Sequence, residues 1–188
     1  KEIYEEMSTT MPSLNNITWD RIDKESSVTY PSDSPNMPGN EIVFGDKFPN
    51  KTGKGKFVAA SVTPPNEMPD QEFEMILTTG RQLEHWHTGA MTRKASNLDA
   101  IEPEATVSIS PEEIIKNNMK PGDEIKVSTR RGSIKIKIRE DRAIPKGVIF
   151  IPFCYNEAAA NLLTNPALDP YGKIPEFKYC AAKIEKIV

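Results

Sequence analysis

The sequence contains few of the residues that hold small proteins together through covalent or metal bonds. It includes only two cysteines, Cys154 and Cys180, and two histidines, His85 and His87, among 188 residues. Two distant thiols form neither a disulfide framework nor a four-ligand zinc site. A chain of this length buries roughly 70% of its unfolded surface. We therefore expect the fold to depend on a hydrophobic core, with both cysteines inside it.

Long apolar runs and an excess of positive charge are also missing. A membrane-spanning helix needs about 20 consecutive apolar residues, whereas the longest apolar stretch here, 148–154, has the length of a strand. The 24 basic residues are outnumbered by 27 acidic ones, and the net charge is −3. Non-specific nucleic-acid binding needs a positive field that this balance does not supply. We therefore predict neither a membrane segment nor a nucleic-acid partner.

The first part of the chain, 1–70, holds half of the prolines and shows little sustained periodicity. Proline interrupts both helices and sheet ladders, so this part is predicted to be partly irregular. Within it, the pattern predicts short helices at 1–7 and 19–23 and strands at 41–44 and 55–62. We expect an extended segment that does not form a core of its own.

From Glu72 onward the sequence changes to short strand-like segments. Ile134, Ile136 and Ile138 alternate with polar residues, which is typical of a strand with one buried face. Ser110 and Pro111 precede two glutamates and so mark the start of a helix. About six strands with one or two helices between them predict a small, mainly β barrel. The predicted elements are strands at 73–79, 106–109, 125–128, 134–138, 148–151 and 178–187, and a second short helix at 157–163.

The most informative segment follows the first of these strands. Residues 78–93 contain both histidines, one of the two tryptophans, two glycines and two arginines. Glycine allows close approach of the backbone, and threonine hydroxyls and backbone N–H groups bind phosphate oxygens. Arg81 or Arg93 can hold a phosphate through two parallel hydrogen bonds. On a loop held by a rigid scaffold, this composition indicates a nucleotide or pyrophosphate site.

Two other interpretations of this loop stay open from the residues alone. His85 and His87 would face the same side of a strand and could bind zinc, but the sequence supplies no third ligand in a matching position. A loop of this composition can also serve only to stabilise itself. We predict no metal site. No serine or cysteine stands in a nucleophile motif, so we assign no catalytic residue in this chain.

The outer face of the predicted 125–138 hairpin is basic. Polar residues must alternate with the isoleucines if one face is buried, so a solvated face explains the strip, and binding of a partner or nucleic acid is the alternative. Its members are Lys126, Arg130, Arg131, Lys135, Lys137 and Arg139.

Three motifs, which occur in order along the chain, resemble a known family. They resemble the C-terminal, cofactor-binding part of molybdenum or tungsten enzymes with a bis(molybdopterin guanine dinucleotide) centre, and formate dehydrogenase alpha subunits in particular. N-terminal motifs such as Ile17-Thr18-Trp19 and Gly55-Lys56-Phe57 extend the resemblance over nearly the whole chain. The three motifs are Thr79-Gly80-Arg81-Gln82-Leu83-Glu84-His85-Trp86-His87-Thr88-Gly89 with Met91-Thr92-Arg93, Asn161-Leu162-Leu163-Thr164 with Asp169-Pro170, and Pro175-Glu176-Phe177-Lys178-Tyr179-Cys180-Ala181.

The resemblance implies a fold and a set of site residues. It implies a six-stranded double-psi β-barrel over 71–188 that binds molybdopterin dinucleotide, preceded by a connecting segment over 1–70 that leads from an absent domain. It also implies that Asn161 and Lys178 bind the cofactor and that Phe153 lies near the substrate funnel. The loop residues implied to bind the cofactor are Thr79, Gly80, Arg81, Gln82, Leu83, Glu84, His85, Trp86, His87 and Thr88.

The resemblance further implies which parts lie elsewhere. In that family the metal-ligating cysteine or selenocysteine, the catalytic histidine and arginine and an iron–sulfur cluster belong to a larger preceding part. Because this sequence contains none of those parts, we expect it to be a C-terminal fragment of a cytoplasmic alpha subunit that oxidises formate, inactive alone. Its expected partners are the remainder of that subunit and an electron-transfer subunit.

Two alternatives to the formate enzyme stay open. Nitrate reductases of the assimilatory or periplasmic type share the His85-Trp86-His87-Thr88-Gly89 kind of loop, and Tyr30-Pro31 stands where formate dehydrogenases often have Trp-Pro. The alternative of another class is a stand-alone double-psi barrel that acts as a binding module, since fold alone does not determine function. The loop argues against a regulator, which needs no such cluster of histidine, tryptophan and arginine.

Overall fold

The computed structural model describes residues 1–187 and divides into two compact units, Lys1–Ser61 and Val62–Val188. The first unit consists of helix α1 (Glu2–Thr10), a 3-10 turn (Pro12–Leu14), helix α2 (Trp19–Glu25) and irregular chain. The hydroxyl of Thr18 caps α2 by accepting the N–H of Arg21 at 3.2 Å. The only buried side chains in this unit belong to Ile17 and Ser32, so it has almost no apolar core.

The strands predicted at 41–44 and 55–62 are wrong, because both segments are irregular in the structure. A strand needs a neighbour with which to exchange backbone hydrogen bonds. Residues 55–65 donate and accept no backbone hydrogen bond with any other residue of the described chain. Strand-forming side chains are present, as in the fully exposed Phe57 and Val62, but a pairing partner is not.

The second unit is a closed barrel with the strand order β1-β5-β2-β4-β3-β6. The pairs β1/β5 and β2/β4 are parallel, and the other four pairs are antiparallel. Exchanging β1, β2 and β3 with β4, β5 and β6 reproduces the same pairing, so the barrel has an internal pseudo-twofold. The predicted six-stranded double-psi barrel is thereby confirmed. The strands are β1 (Met75–Gly80), β2 (Thr106–Ile109), β3 (Glu124–Ser128), β4 (Ser133–Glu140), β5 (Val148–Pro152) and β6 (Cys180–Lys186).

The barrel interior is filled by aliphatic side chains from alternate strand positions. On β4, Ile134, Ile136 and Ile138 are buried, as their alternation predicted. Each such side chain contributes about 1.5–3 kcal/mol when fully buried. Cys154 and Cys180 lie in the same core, where burial raises the pKa of both thiols. The strands β1, β2, β3 and β5 contribute seven completely inaccessible side chains, those of Leu77, Val107, Ile109, Ile125, Val127, Ile149 and Ile151.

Two short helices, α3 (Ser96–Ile101) and α4 (Pro111–Lys116), lie in the connections between strands. The hydroxyl of Ser110 caps α4, as predicted, by accepting the N–H of Glu113 at 3.4 Å. The helix predicted at 157–163 is wrong in length, since only a 3-10 turn forms at Ala160–Leu162. The longest helix within residues 1–187 has nine residues, and none has the length and hydropathy to cross a membrane.

Candidate functional site

One end of the barrel collects all the predicted site residues. We name this end the upper rim. The strands β1, β3 and β5 end there, and β2, β4 and β6 begin there. Gly80 at the end of β1, for example, lies opposite Pro152 at the end of β5. The antiparallel pairing of β1 with β6 brings the start of β6 to the same end. The connections at the upper rim are therefore 81–105, 129–132 and 153–179, and they carry the 81–88 loop, Phe153, Asn161 and Lys178.

The loop leaves β1 at a glycine that has no room for a side chain. A Cβ atom on Gly80 would lie 2.5 Å from Cε2 of Phe150, and the Gly80 carbonyl accepts the N–H of Phe153 at 3.1 Å. Farther along, Gly89 has φ +74°, and a Cβ atom there would lie 2.8 Å from the carbonyl oxygen of Cys154. Both glycines thus hold the loop against the chain that follows β5.

His85 lies on the inner side of the loop and is only 2% exposed. Its Nε2 atom is 2.8 Å from the carbonyl oxygen of Glu102, and its Nδ1 atom is 3.3 Å from the hydroxyl oxygen of Thr92. The imidazole packs edge-on against the ring of Tyr155, with centroids 5.6 Å apart. Both ring nitrogens are thus occupied by the protein itself, and the side chain does not face a ligand at the surface.

Three other residues of the loop, Leu83, Trp86 and His87, are exposed instead. Leu83 is 94% and Trp86 61% exposed. The ring of His87 packs against the indole of Trp86 at 4.6 Å, and its Nε2 lies 3.5 Å from Nη2 of Arg81. Within residues 1–187, no carboxylate pairs with Arg81. The outer side of the loop is therefore aromatic and cationic, and Thr88 is exposed beside it.

A short turn forms the base of this surface. The N–H of His85 donates to the carbonyl of Gln82 at 3.2 Å, and the Gln82 amide donates to the Glu84 carboxylate at 2.7 Å. The Gln82 amide thereby holds the pKa of the Glu84 carboxyl below its usual range. The Glu84 carboxylate is thus hydrogen-bonded within the loop and does not form an ion pair with Arg81.

Arg93, the second arginine considered for phosphate binding, is engaged inside the protein. Its guanidinium donates to the carboxylates of Asp99 and Glu157 at 2.5 and 2.9 Å and to the carbonyl of Pro103 at 3.2 Å. It also lies 4.7 Å above the ring of Tyr155. All three nitrogens are in use, so Arg81 is the arginine of the loop that is left for a ligand.

Lys178 reaches the end of β1 from the opposite end of the sequence. Its Nζ donates to the carbonyl of Thr79 at 2.6 Å and lies 5.6 and 5.5 Å from the rings of Phe153 and Phe177. The hydroxyl of Thr79 donates to the Phe177 carbonyl at 2.9 Å. No carboxylate of the described chain pairs with the ammonium of Lys178, which places a free positive charge beside the first residue of the loop.

Asn161 lies on the exposed side of the 3-10 turn at the same rim. Its backbone carbonyl accepts the hydroxyl of Thr164 at 3.2 Å, while its side-chain amide has no partner among residues 1–187. The turn packs against the 129–132 hairpin, because a Cβ atom on Gly132 would lie 3.1 Å from the Leu162 carbonyl oxygen. The amide is therefore free to bind at the upper rim.

Most side chains of the basic strip on the hairpin form ion pairs with carboxylates. Five of its six members contact a carboxylate, and only Lys135 has none within the part of the chain that the structure describes. The positive charges of the strip are thus mostly paired within the barrel unit, which leaves little free charge for nucleic acid. The pairs are Lys126–Glu185, Arg130–Glu67, Arg131–Glu67, Lys137–Glu104 and Arg139–Glu102.

Neither a metal cluster nor a deep cleft accompanies the loop. No three or more histidine, cysteine, aspartate or glutamate side chains converge on one point within residues 1–187. Clefts in this unit of about 250, 360 and 350 Å³ lie beside Lys116, Arg130 and Arg142, respectively, and none of the three is lined by a residue of the 81–88 loop. The loop is an open surface, and a ligand on it would need a second wall.

The composition of the loop did not reveal how it is built internally. Thr92 stood in a motif, but nothing marked it as the partner of His85. Glu102 takes part through its backbone carbonyl and Tyr155 through a core ring. Backbone acceptors and core aromatics carry no recognisable signal in a single sequence.

Comparison with known proteins identifies relatives of this barrel. Residues 75–181 match the family model described as the molydopterin dinucleotide binding domain. F420-dependent formate dehydrogenase 1 subunit alpha of Methanococcus maripaludis is 40% identical over 187 residues, which cover 100% of this chain and 28% of that protein. F420-dependent formate dehydrogenase subunit alpha of Methanocaldococcus jannaschii is likewise 40% identical over 187 residues, with the same coverage of 100% and 28%.

Among solved structures, acetylene hydratase from Pelobacter acetylenicus superimposes with a TM-score of 0.57 and 22% identity over 62% of this chain and 19% of that one. At this identity the likeness concerns the fold alone. The chain spans about 28% of the length of the curated relatives it matches. The matches confirm the resemblance seen in the motifs, and since residues 75–181 make up more than half of the chain, it belongs to the molybdopterin dinucleotide binding domain family.

Proposed function

We propose that this chain is the C-terminal, cofactor-holding part of a formate dehydrogenase alpha subunit. The whole enzyme would convert formate into CO2, one proton and two electrons, which pass to an electron-transfer subunit and on to F420. The similarity to the two methanogen alpha subunits supports this, because it covers 100% of the chain and so includes residues 1–74, outside the matched domain.

The observation that carries the proposal is the unpaired positive charge at the upper rim. Arg81 and Lys178 present cationic hydrogen-bond donors there, and neither has a carboxylate partner within the described residues. A dinucleotide brings a pyrophosphate, for which an arginine offers two parallel hydrogen bonds and a lysine a point charge. The exposed indole of Trp86 adds a flat apolar surface on which a base or a pterin can stack.

Each side chain has a definite task in this proposal. Arg81 and Lys178 bind phosphate oxygens, and the amide of Asn161 offers both donors and an acceptor to the edge of a heterocycle. Phe153, beside Lys178, lines the approach of the substrate. When bound, the molybdenum or tungsten centre supplies the two-electron redox chemistry. The proposed cofactor-binding loop comprises Thr79, Gly80, Arg81, Gln82, Leu83, Glu84, His85, Trp86, His87 and Thr88, with His85 acting through the shape of the loop.

The open form of the upper rim implies that another part of the enzyme completes the site. The chain holds one side of a guanine dinucleotide cofactor, and the rest of the alpha subunit supplies the other side, the metal ligand and an iron–sulfur cluster. Since this chain carries no assigned catalytic residue, we expect it to be inactive alone.

The test is to express the complete gene, including the coding region upstream of Lys1, with molybdate and with tungstate. Metal content is measured by mass spectrometry, GMP is measured after acid hydrolysis of the cofactor, and iron is measured separately. We expect two GMP per metal ion and reduction of F420 by formate but not oxidation of a reduced dye by nitrate. A nitrate-only activity, or a purified subunit without metal and GMP, would overturn the proposal.

A further inference from the structure

His85 stands in the middle of the motif, yet its surroundings differ from those of its neighbours. It is 2% exposed, whereas Trp86, the next residue, is 61% exposed. A chain of hydrogen bonds explains the contrast. The N–H of Trp86 donates to the hydroxyl oxygen of Thr92 at 3.0 Å, the Thr92 hydroxyl meets Nδ1 of His85 at 3.3 Å, and Nε2 of His85 meets the Glu102 carbonyl at 2.8 Å.

The partners determine where the protons lie in this chain of bonds. The carbonyl of Glu102 only accepts, so Nε2 of His85 must carry a proton. In the neutral imidazole Nδ1 is then an acceptor and takes the proton of the Thr92 hydroxyl, whose oxygen still accepts the N–H of Trp86. Thr92 and His85 each accept one hydrogen bond and donate one, an arrangement in which adjacent hydrogen bonds strengthen one another.

The Glu102 carbonyl is itself held in place by the barrel. It also accepts the hydroxyl of Tyr155 at 3.0 Å, and burial raises the pKa of Tyr155, so that this hydroxyl stays protonated. The Glu102 carboxylate binds Arg139 of β4 at 2.6 Å, and Arg93 covers the Tyr155 ring. His85 therefore connects the outer loop to a buried polar cluster anchored on two sides of the barrel.

We propose that His85 is a positioning residue: its neutral imidazole, protonated at Nε2, braces the 81–92 loop on the Glu102 carbonyl, so that Arg81, Trp86 and His87 are presented outward. The imidazole itself does not touch the cofactor. Because the brace fixes the backbone of Trp86 through Thr92, loss of the brace lets the outward residues move relative to one another. The effect of the brace on cofactor binding rests on the proposed function. The brace itself is present in the chain without cofactor.

The protonation state is tested by long-range proton–nitrogen NMR of the purified chain labelled with nitrogen-15. We expect His85 to show a protonated Nε2 and an unprotonated Nδ1. A signal from a protonated Nδ1 would overturn the proposal. The exposed His87 is the internal reference, because contact with water lets its N–H proton exchange between the two ring nitrogens, and we expect averaged nitrogen shifts rather than one fixed tautomer.

The mechanical role is tested by amide hydrogen exchange at Trp86 in two matched variants. Thr92→Val removes the hydroxyl at nearly constant shape, and Thr92→Ser keeps it. We expect exchange at Trp86 to be about tenfold faster in Thr92→Val than in Thr92→Ser, a factor that corresponds to about 1.4 kcal/mol, or one net hydrogen bond. Equal rates in the two variants would contradict the brace.

Substitution of His85 itself provides a rescue experiment. The amide of glutamine can replace Nε2–H as donor to Glu102, so His85→Gln should restore much of the protection at 86–89 that His85→Ala loses. Lys135→Gln, at an exposed residue of β4, is the control and should leave that protection unchanged. If His85→Ala does not fold, the Thr92 pair decides the question. All these measurements use the chain without cofactor, so a negative result would contradict the brace but not the proposed function. Conversely, a complete subunit that is purified without metal would contradict the proposed function but not the brace.

Discussion

The ammonium group of Lys178 donates a 2.6 Å hydrogen bond to the backbone carbonyl of Thr79, across a sequence separation of 99 residues. The bond joins Thr79, the next-to-last residue of β1, to the chain that enters β6. It exists because β1 and β6 are antiparallel neighbours, with Leu77 opposite Cys180. No carboxylate among residues 1–187 pairs with the Lys178 ammonium group. This positive charge, next to the start of the loop, is therefore available to an anionic ligand.

We expect Lys178→Gln to weaken retention of the cofactor in the complete enzyme by about tenfold or more, because a charge-assisted hydrogen bond contributes about 1.5–3 kcal/mol. The measurement is metal and GMP per subunit after dialysis. Lys146→Gln is the matched control, since Lys146 is an exposed lysine in the 141–147 connection at the opposite end of the barrel. Equal losses of metal and GMP in both variants would show that Lys178 does not bind the cofactor.

Arg81→Ala should have a similar or larger effect, because a guanidinium offers two parallel donors to a phosphate and no other residue of the loop replaces it. Arg93 cannot substitute, since Asp99, Glu157 and Pro103 occupy its nitrogens. Arg142→Ala, at the far end of the barrel, is the control. Molybdenum or tungsten content equal to that of the parent enzyme would show that Arg81 is not a ligand of the cofactor.

Glu67→Ala should destabilise the barrel unit by about 2–4 kcal/mol, because it leaves the buried N–H of Ala181 without its acceptor and removes the carboxylate that pairs with Arg130 and Arg131. The Glu67 carboxylate is 12% exposed; it accepts Arg130 at 2.9 Å and also binds Arg131. It further accepts the N–H of the buried Ala181 at 2.9 Å. Urea unfolding followed by circular dichroism measures the change, with the exposed Glu72→Ala as control. A loss no larger than that of the control would refute this role.

Stability should depend on pH through Asp169. Its carboxylate accepts the N–H groups of Ile174, Gly172 and Tyr171 at 2.7, 2.8 and 2.9 Å, and these bonds lower the pKa of the group. A carboxyl whose pKa is lower in the folded state stabilises the fold above its unfolded pKa, about 3.9, and this stabilisation disappears as pH falls through the folded pKa.

Asp169→Asn should therefore melt at a lower temperature than the parent chain at pH 7, with a difference that shrinks below about pH 4. Thermal melts from pH 7 down to acid conditions measure the effect. Glu140→Gln, which removes an exposed carboxylate at the end of β4, is the control. A difference in melting temperature that stays constant with pH would show that the backbone donors at Asp169 do not favour its ionised form.

The amides of Lys1–Ser61 should exchange with solvent faster than those of the barrel strands. Only Ile17 and Ser32 are buried in this unit, and regions with few buried apolar contacts open at low free-energy cost. Hydrogen exchange of the purified chain measures the difference. Uniform protection from Lys1 through β6 would mean that the first unit has a stabilising contact beyond its own core.

The regular part of the fold could be predicted because its signals are local. Alternating isoleucines mark the buried face of β4, and Ser110 with Pro111 marks the start of α4, since burial periodicity and capping depend on residues a few positions apart. The same local signals were misleading at 41–44 and 55–62. There the side chains favour a strand, but strand formation requires a hydrogen-bonding neighbour that no described residue provides.

The candidate site could likewise be predicted from the sequence only in part. The sequence by itself determined the chemistry of the 79–88 loop: its glycines, hydroxyls, arginine and aromatic residues indicate phosphate and a flat heterocycle. Only the tertiary structure decided which side chains face outward. Arg81 and His87 point to solvent while His85 and Arg93 turn inward. The reason is that the Glu102 carbonyl accepts from His85, the Glu157 carboxylate accepts from Arg93, and the ring of Tyr155 packs against both side chains. The hydrogen-bond partners of a loop depend on what the chain topology brings beside it, and no pattern of neighbouring residues encodes that.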